Sequence, residues 1–371
     1  MTDSADQQTR RKIRVLMIAP ALPIVGGQTV QASRLIAAFK NEPELIVDFQ
    51  PINPAVLPRL QKIKYVRTVL TSFKYAADLL LRSRRYDIIH IFSASYFSFV
   101  LAPTPAVLIA KLFGKKTILN YRSGEAPDHL KRWRRTAIPT IRLFDRIVTP
   151  SGYLVDVFSE FGLAARSIFN FVDTHNYKFR ERKPLRPVFL SNRNFESHYN
   201  VACTLRAFSL IRRELPEARL IVAGDGPERN RLHALAADLG LGGVEFIGSV
   251  APQEMPAVYD KADVYLNSPS IDNMPNSVIE AFACGLPVVS TNAGGIPYIV
   301  ENGKTGLLVD SDDDAALARA ALRLFTVPGL AQNIVAAARA EVARYSWESV
   351  RGEWLKTYTE LYEEGRRSAV R

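Results

Sequence analysis

Short apolar runs alternate with helical stretches along this chain, and the alternation is played through twice, once in each half. In the first half, residues 13–19 (Ile-Arg-Val-Leu-Met-Ile-Ala) read as a buried strand, and 46–49, 88–92, 116–120 and 146–149 read the same way. Helical spacing lies between them, as at 29–40. Strands separated by helices imply a parallel, doubly wound sheet. The second half repeats the pattern at 188–191, 220–223, 244–248, 264–267, 288–291 and 307–309, with helical patterns at 201–214 and 229–239 among those between. The expected fold is therefore α/β, with two Rossmann-like domains at 13–173 and 188–346. A polar, basic linker is expected at 174–187, a disordered start at 1–12 and a closing helix at 347–371. A length of 371 residues suits two domains. Ligands of such sheets bind beyond the carboxyl ends of the strands, which puts the expected site in a cleft between the domains.

The most informative segment runs Asp272-Asn-Met-Pro-Asn-Ser-Val-Ile-Glu280-Ala-Phe-Ala-Cys-Gly-Leu-Pro-Val-Val289. Pro275, Asn276 and Ser277 fall just before an apolar helical run (Val278, Ile279, Ala281, Phe282), so Asn276 or Ser277 is expected to cap that helix. Gly285 and Pro287 end it, and Val288 opens a buried strand. The start of a helix presents free N–H groups and the positive end of its peptide dipoles, a setting suited to phosphate oxygens. Asp272 precedes the helix and Glu280 lies about one turn inside it. One segment thus offers an anion cradle between two hydrogen-bond acceptors, which is what a nucleoside diphosphate bearing a sugar requires. On spacing alone, an ordinary helix start with solvated acids explains the segment equally well.

The string from Glu280 to Val288 resembles the signature of the retaining glycosyltransferases of family 4: Glu, seven residues, Glu, then Ala-x-Ala-Cys-Gly-x-Pro-Val. The resemblance implies the GT-B fold, with the last helix crossing back onto the first domain. It implies a sugar passed from a UDP- or GDP-sugar to a hydroxyl of a glycan or lipid-linked acceptor, with retention and with no metal or other cofactor. Glu280 is then expected on the ribose and Asp272 on the sugar hydroxyls, with Pro275, Asn276 and Ser277 at the donor. Gly26-Gly27, after the first strand, matches a Gly-Gly loop that faces the donor diphosphate or the acceptor. Gly224-Asp225-Gly226-Pro227 resembles a turn of the nucleotide domain, and Gly248 ends the strand beside the nucleobase. Ser151-Gly152-Tyr153 and Asn170-Phe171-Val172-Asp173 resemble elements at the hinge and are expected to pack there.

The chain departs from that pattern at several places. Asp272 stands where the family has Glu. Arg193 matches the Arg that holds the diphosphate and stabilises the departing charge. The Lys-Gly that should accompany it is absent: His198 or Tyr199 stands near the Lys position and Asn200 in that of the glycine. Arg122 occupies a position where the family often has His. It is a permanent cation that supplies part of the missing charge, binds an acceptor phosphate or is simply solvated. His90 reads as a core histidine. These departures keep two other readings open, a nucleotide-sugar-binding or membrane-associated partner without turnover, and another GT-B enzyme such as a sugar-nucleotide epimerase.

The net charge of +11 is unevenly placed. Residues 1–180 hold 27 Lys and Arg against 13 Asp and Glu, whereas residues 181–371 hold 21 against 24. Basic clusters at 59–85 and at 131–135, the latter enclosing Trp133, suit an anionic membrane surface. No nucleic-acid reader motif accompanies them, so nucleic acid is not an expected partner. The apolar stretch 96–110 contains two prolines and is short for a membrane span, so a core helix is expected there. Cys203 and Cys284 are expected as buried thiols in a reducing compartment. The five His residues are scattered and form no metal cluster. The expected location is cytoplasmic, peripheral at the inner face of the membrane.

Overall fold

The computed structural model describes residues 11–21, 26–55, 64–93, 95–174 and 176–370. The expected disorder of residues 1–10, the start of the basic cluster at 59–63 and His175 of the expected linker lie outside the described residues. The chain divides into two compact units. The first holds Met1–Pro150, Val155–Ile168 and Arg351–Arg371, and the second Ser151–Leu154 and Phe169–Val350.

The first unit is built on β1 (Ile13–Ala19), β2 (Leu45–Pro51), β3 (Ile88–Ser93), β4 (Lys116–Tyr121), β5 (Arg146–Thr149) and β6 (Arg166–Ser167). They form one parallel sheet in the order β2-β1-β3-β4-β5-β6. Val15, Leu16, Met17 and Ile18 are fully buried, as are Ile88, Ile89 and Ile91, which explains their continuous apolar runs. Part of the helix Trp347–Val370 belongs to this unit. Trp354 and Tyr358 pack against His90, and Arg351 makes a two-pronged ion pair with Glu42 at 2.6 Å.

The second unit carries β7 (Val188–Asn192), β8 (Arg219–Ala223), β9 (Val244–Gly248), β10 (Val264–Asn267), β11 (Val288–Thr291) and β12 (Leu307–Val309). Their order is β12-β11-β10-β7-β8-β9, again parallel. In each sheet the direction of winding reverses once, between β1 and β3 and between β7 and β10. Loops leaving the two strands at such a reversal diverge to opposite faces and open a crevice at their carboxyl ends.

Residues 174–187, expected as a polar, basic linker, fall within the second unit, and Arg182 among them is only 6% exposed. Its guanidinium donates to the carbonyls of Ala262 at 2.8 Å, Tyr259 at 3.2 Å and Cys284 at 2.5 Å. It thereby satisfies carbonyls at the ends of the helices Met255–Lys261 and Asn276–Cys284. The apolar stretch 96–110 is two helices, Tyr96–Leu101 and Pro103–Leu112. Pro103 has no N–H to offer and disfavours a helical residue before it, so the chain turns at Ala102. Phe99, Ala106, Val107 and Ala110 are buried and Phe97 and Leu108 exposed, so the stretch packs one face on the core, as expected, and leaves the other to solvent. Among the described residues no single helix is long and apolar enough to cross a membrane.

Candidate functional site

Arg193 follows β7 and Asp272 lies in the loop after β10, the two strands at the reversal of the second sheet. Glycine turns buttress both loops. After β8, the N–H of Phe195 donates to the Asp225 carbonyl at 2.9 Å and that of Glu228 to the Phe195 carbonyl at 2.9 Å. Gly224 has φ +149°, and a Cβ there would lie 2.1 Å from the Arg193 carbonyl oxygen. After β11, Gly294 (φ +52°) and Gly295 press on the second loop. Side chains at these two positions would come within 2.1 Å of the Asp272 oxygen and 1.9 Å of the Asn273 oxygen. Gly248 (φ +71°) ends β9, and its carbonyl accepts from the Gly224 N–H at 2.8 Å.

The side chains of Arg193 and Asp272 meet. Arg193 Nη2 donates to Asp272 Oδ2 at 2.5 Å and Nη1 to Ser277 Oγ at 3.1 Å. The Tyr199 ring covers the guanidinium, its centroid 3.9 Å from Cζ. Side-chain exposure is 8% for Arg193 and 11% for Asp272. Burial works against the charged guanidinium, but the field of Asp272 opposes it and the group is held above its ordinary value. The second oxygen of Asp272 accepts from the Asn273 N–H at 2.8 Å. Arg193 and Asp272 are thus joined in one ion pair.

The missing Lys-Gly keeps its backbone and loses its charge. Asn200 takes the left-handed conformation (φ 45°, ψ 47°) that a glycine would take, and Asn is among the residues that tolerate it. Its Oδ1 accepts from the Cys203 N–H at 3.3 Å, capping the helix Val201–Glu214. Tyr199, near the Lys position, stacks on Arg193 instead of adding a second cation.

The expected cap of the helix Asn276–Cys284 is corrected. Pro275 holds the cap position, no side chain caps the helix, and Asn276 is its first residue. The two expected capping side chains are engaged elsewhere: Asn276 Oδ1 accepts from Asn170 Nδ2 at 3.0 Å, and Ser277 Oγ accepts from Arg193. Gly285 ends the helix in the left-handed conformation, φ +75°, as expected. Glu280, 7% exposed, accepts from the Tyr259 hydroxyl at 3.0 Å. The hinge-like residues serve packing: Asn170 also donates to the Met274 carbonyl, and Ser151 Oγ bonds Asn273 Oδ1.

The remaining expected residues belong to the first unit. Gly26 is extended and stands at the cap of the helix Gly27–Phe39, and a Cβ at either Gly26 or Gly27 would meet nothing within 4 Å. Residues 22–25, ahead of them, lie outside the described residues. Arg122 is half-buried rather than freely solvated. It lies over the Phe92 ring and donates to Asn120 Oδ1 at 3.1 Å. That bond fixes the Asn120 amide, so its Nδ2 donates to His90 Nε2 at 3.0 Å. The imidazole proton therefore sits on Nδ1, 2.7 Å from the Tyr358 hydroxyl. Burial, then the charge of Arg122, push His90 down to about 3, so it is a neutral core residue. Trp133 packs edge-on against Tyr96 and His129.

Sequence reasoning missed Tyr259, Asn192, Gly294 and Gly295. The glycine pair carried a legible signal, since it follows a strand just as Gly26-Gly27 does. Tyr259 carried none, because its spacing is that of any apolar helix position.

Two parallel six-stranded sheets, each with one reversal, define the GT-B fold. The solved structure of Anabaena Alr3699/HepE in complex with UDP and glucose matches with a TM-score of 0.74 over 94% of this chain and 99% of that one, at 18% identity. Family models of glycosyltransferases match both halves of the chain. The family model described as Glycosyltransferase Family 4 matches residues 2–176, and the one described as Glycosyl transferases group 1 matches residues 173–341. The D-inositol 3-phosphate glycosyltransferase of Corynebacterium jeikeium is 36% identical over 143 residues, 38% of this chain and 34% of that protein. The GDP-mannose-dependent alpha-(1-6)-phosphatidylinositol monomannoside mannosyltransferase of Mycolicibacterium smegmatis is 31% identical over 204 residues, 52% of each chain. The chain thus spans about a third to a half of the length of these curated relatives.

Proposed function

We propose that this protein transfers a hexosyl group from a UDP- or GDP-sugar to a hydroxyl of a glycan or lipid-linked acceptor, with retention of configuration and without a metal. The observation that carries the proposal is the meeting of Arg193, Asp272 and Ser277 beyond β7 and β10, with Glu280 about one turn along the same helix as Ser277. A buried guanidinium there supports a diphosphate leaving group, where fixed charge is most effective. The carboxylate of Glu280 is suited to ribose hydroxyls, and Asp272, steadied by Arg193, to those of the sugar. Front-face transfer with retention relies on orientation and leaving-group stabilisation more than on a strong base. One relative is named as GDP-mannose-dependent and the solved relative holds UDP, which supports these two bases.

A lipid-linked acceptor at the cytoplasmic face of a membrane draws support from the first unit. Val66, Val69, Phe73 and Leu80 recur at helical spacing along Lys64–Arg82 and are exposed, Phe73 by 76%. Arg67 and Lys74 flank this apolar stripe on the same helix, a composition suited to anionic headgroups.

The test is a panel of UDP- and GDP-sugars read first by melting temperature and then by product analysis in a chelator-treated buffer. One donor should raise the melting temperature, Glu280→Ala should abolish that rise, and the transferred sugar should keep its anomeric form. A panel in which no sugar nucleotide shifts the transition sinks the proposal. A second reading, nucleotide-sugar binding without turnover, is favoured by Tyr199 near the Lys position and by the tying of Arg193 to Asp272. Binding with no transfer across a broad acceptor panel would decide for it.

A further inference from the structure

The phenol of Tyr259 is fully buried, yet its single oxygen is met by three groups from two other elements. Asn192 Nδ2, at the end of β7, lies 2.9 Å away. The Ser277 carbonyl, in the first turn of the helix Asn276–Cys284, and Glu280 Oε2, one turn further on, both lie at 3.0 Å. An amide NH2 only donates, so Asn192 fills a lone pair of the phenol and leaves the phenol proton to the two acceptors. Burial, then the charge of Glu280, hold Tyr259 far above its ordinary value, so the group stays a donor. The same Ser277 is gripped at its Oγ by Arg193, the residue that follows Asn192. Adjacent residues at the end of β7 therefore reach one helix turn by two routes, one ending at the guanidinium and the other, through Tyr259, at the carboxylate.

We propose that Tyr259 is the positioning residue that aims Glu280 at the ribose of the donor nucleotide. This rests on the reading of Glu280 as the ribose ligand. A carboxylate on a long side chain has several rotamers, and a ribose diol is selected only if one of them is fixed beforehand. Tyr259 engages Oε2, which defines the direction in which the rest of the carboxylate points.

The experiment measures binding of UDP and GDP, each against its 2′,3′-dideoxy analogue, by calorimetry. The wild-type protein should favour the ribo form by about tenfold or more, the scale on which a site built for a hydroxyl rejects a ligand lacking it. In Tyr259→Phe that preference should shrink to within about threefold while affinity for the dideoxy form stays unchanged, because only the aim of the carboxylate is lost. A merely structural role would lower both affinities together, and an undiminished preference or a parallel loss overturns the proposal. Glu280→Gln, run alongside, separates the two levels. If it keeps the ribose preference, or if neither nucleotide binds the wild-type protein, the underlying reading falls and the inference with it. If Glu280→Gln loses the preference and Tyr259→Phe keeps it, only the role of Tyr259 falls. Should Tyr259→Phe fail to fold, Asn192→Ala loosens the same phenol from the β7 side and must narrow the preference in the same direction.

Discussion

His90 shows how one chain of hydrogen bonds decides where a proton sits. Arg122 orients Asn120, Asn120 occupies Nε2, and Tyr358 faces Nδ1, all in the core of the first unit. The unfolded chain takes up a proton near the ordinary imidazole value of 6.5, while the folded chain resists it down to about 3. Stability from this residue is therefore complete above the ordinary value and drains as pH falls from there toward the folded one. His129, pushed by burial to about 4, adds to the same trend. Urea unfolding of the first unit should lose roughly 2 kcal/mol through His90 between pH 7 and pH 5. His90→Gln should lose less over that interval, and an identical loss in both proteins would refute the account.

Among the elements, the strands were the most legible, since parallel strands buried on both faces leave continuous apolar runs such as 13–19 and 88–92. β6 was not legible: it is two polar residues, Arg166 and Ser167, paired at a sheet edge. The helix Asn276–Cys284 was legible in its extent but not at its start, because tertiary partners draw Asn276 and Ser277 away from capping. The Asp272–Arg193 pair was illegible for a different reason. Nothing in the sequence links two positions 79 apart, and only the approach of their loops shows that they pair. That approach depends on the turns behind the loops. Gly224→Ala places a methyl 2.1 Å from the Arg193 carbonyl at a positive φ, and Gly294→Ala does the same at Asp272. Each should cost about 2–4 kcal/mol of stability in the second unit and remove the nucleotide-induced rise in melting temperature. A Gly224→Ala protein that melts and binds like the wild type would show the buttress to be dispensable.

At the scale of the whole molecule, charge separates the two halves of the chain. The excess of Lys and Arg lies within residues 1–180, the stretch that also contains the exposed apolar stripe of the helix Lys64–Arg82. On the proposed membrane-bound reading, attraction to anionic lipid would reach about 10 Å at 0.1 M salt, whereas insertion of Phe73 and Leu81 would be insensitive to screening. Phosphatidylserine vesicles should therefore pellet the protein at low salt, with binding weakened several-fold, by rough estimate, on raising the salt. Phe73→Glu combined with Leu81→Glu should abolish pelleting and leave the nucleotide-induced melting shift intact. Equal binding to neutral and anionic vesicles would remove the electrostatic half of the idea.

The first unit draws its last twenty-one residues, Arg351–Arg371, from the far end of the chain. On a ribosome, its sheet emerges early but must wait for Trp354 and Tyr358 to cover His90. The second unit, almost continuous in sequence, can finish folding while its neighbour is still open on one flank. A released chain truncated before Arg351 should thus present a protease-sensitive first half beside a resistant second half, against the usual order in which the first domain made is the first to mature.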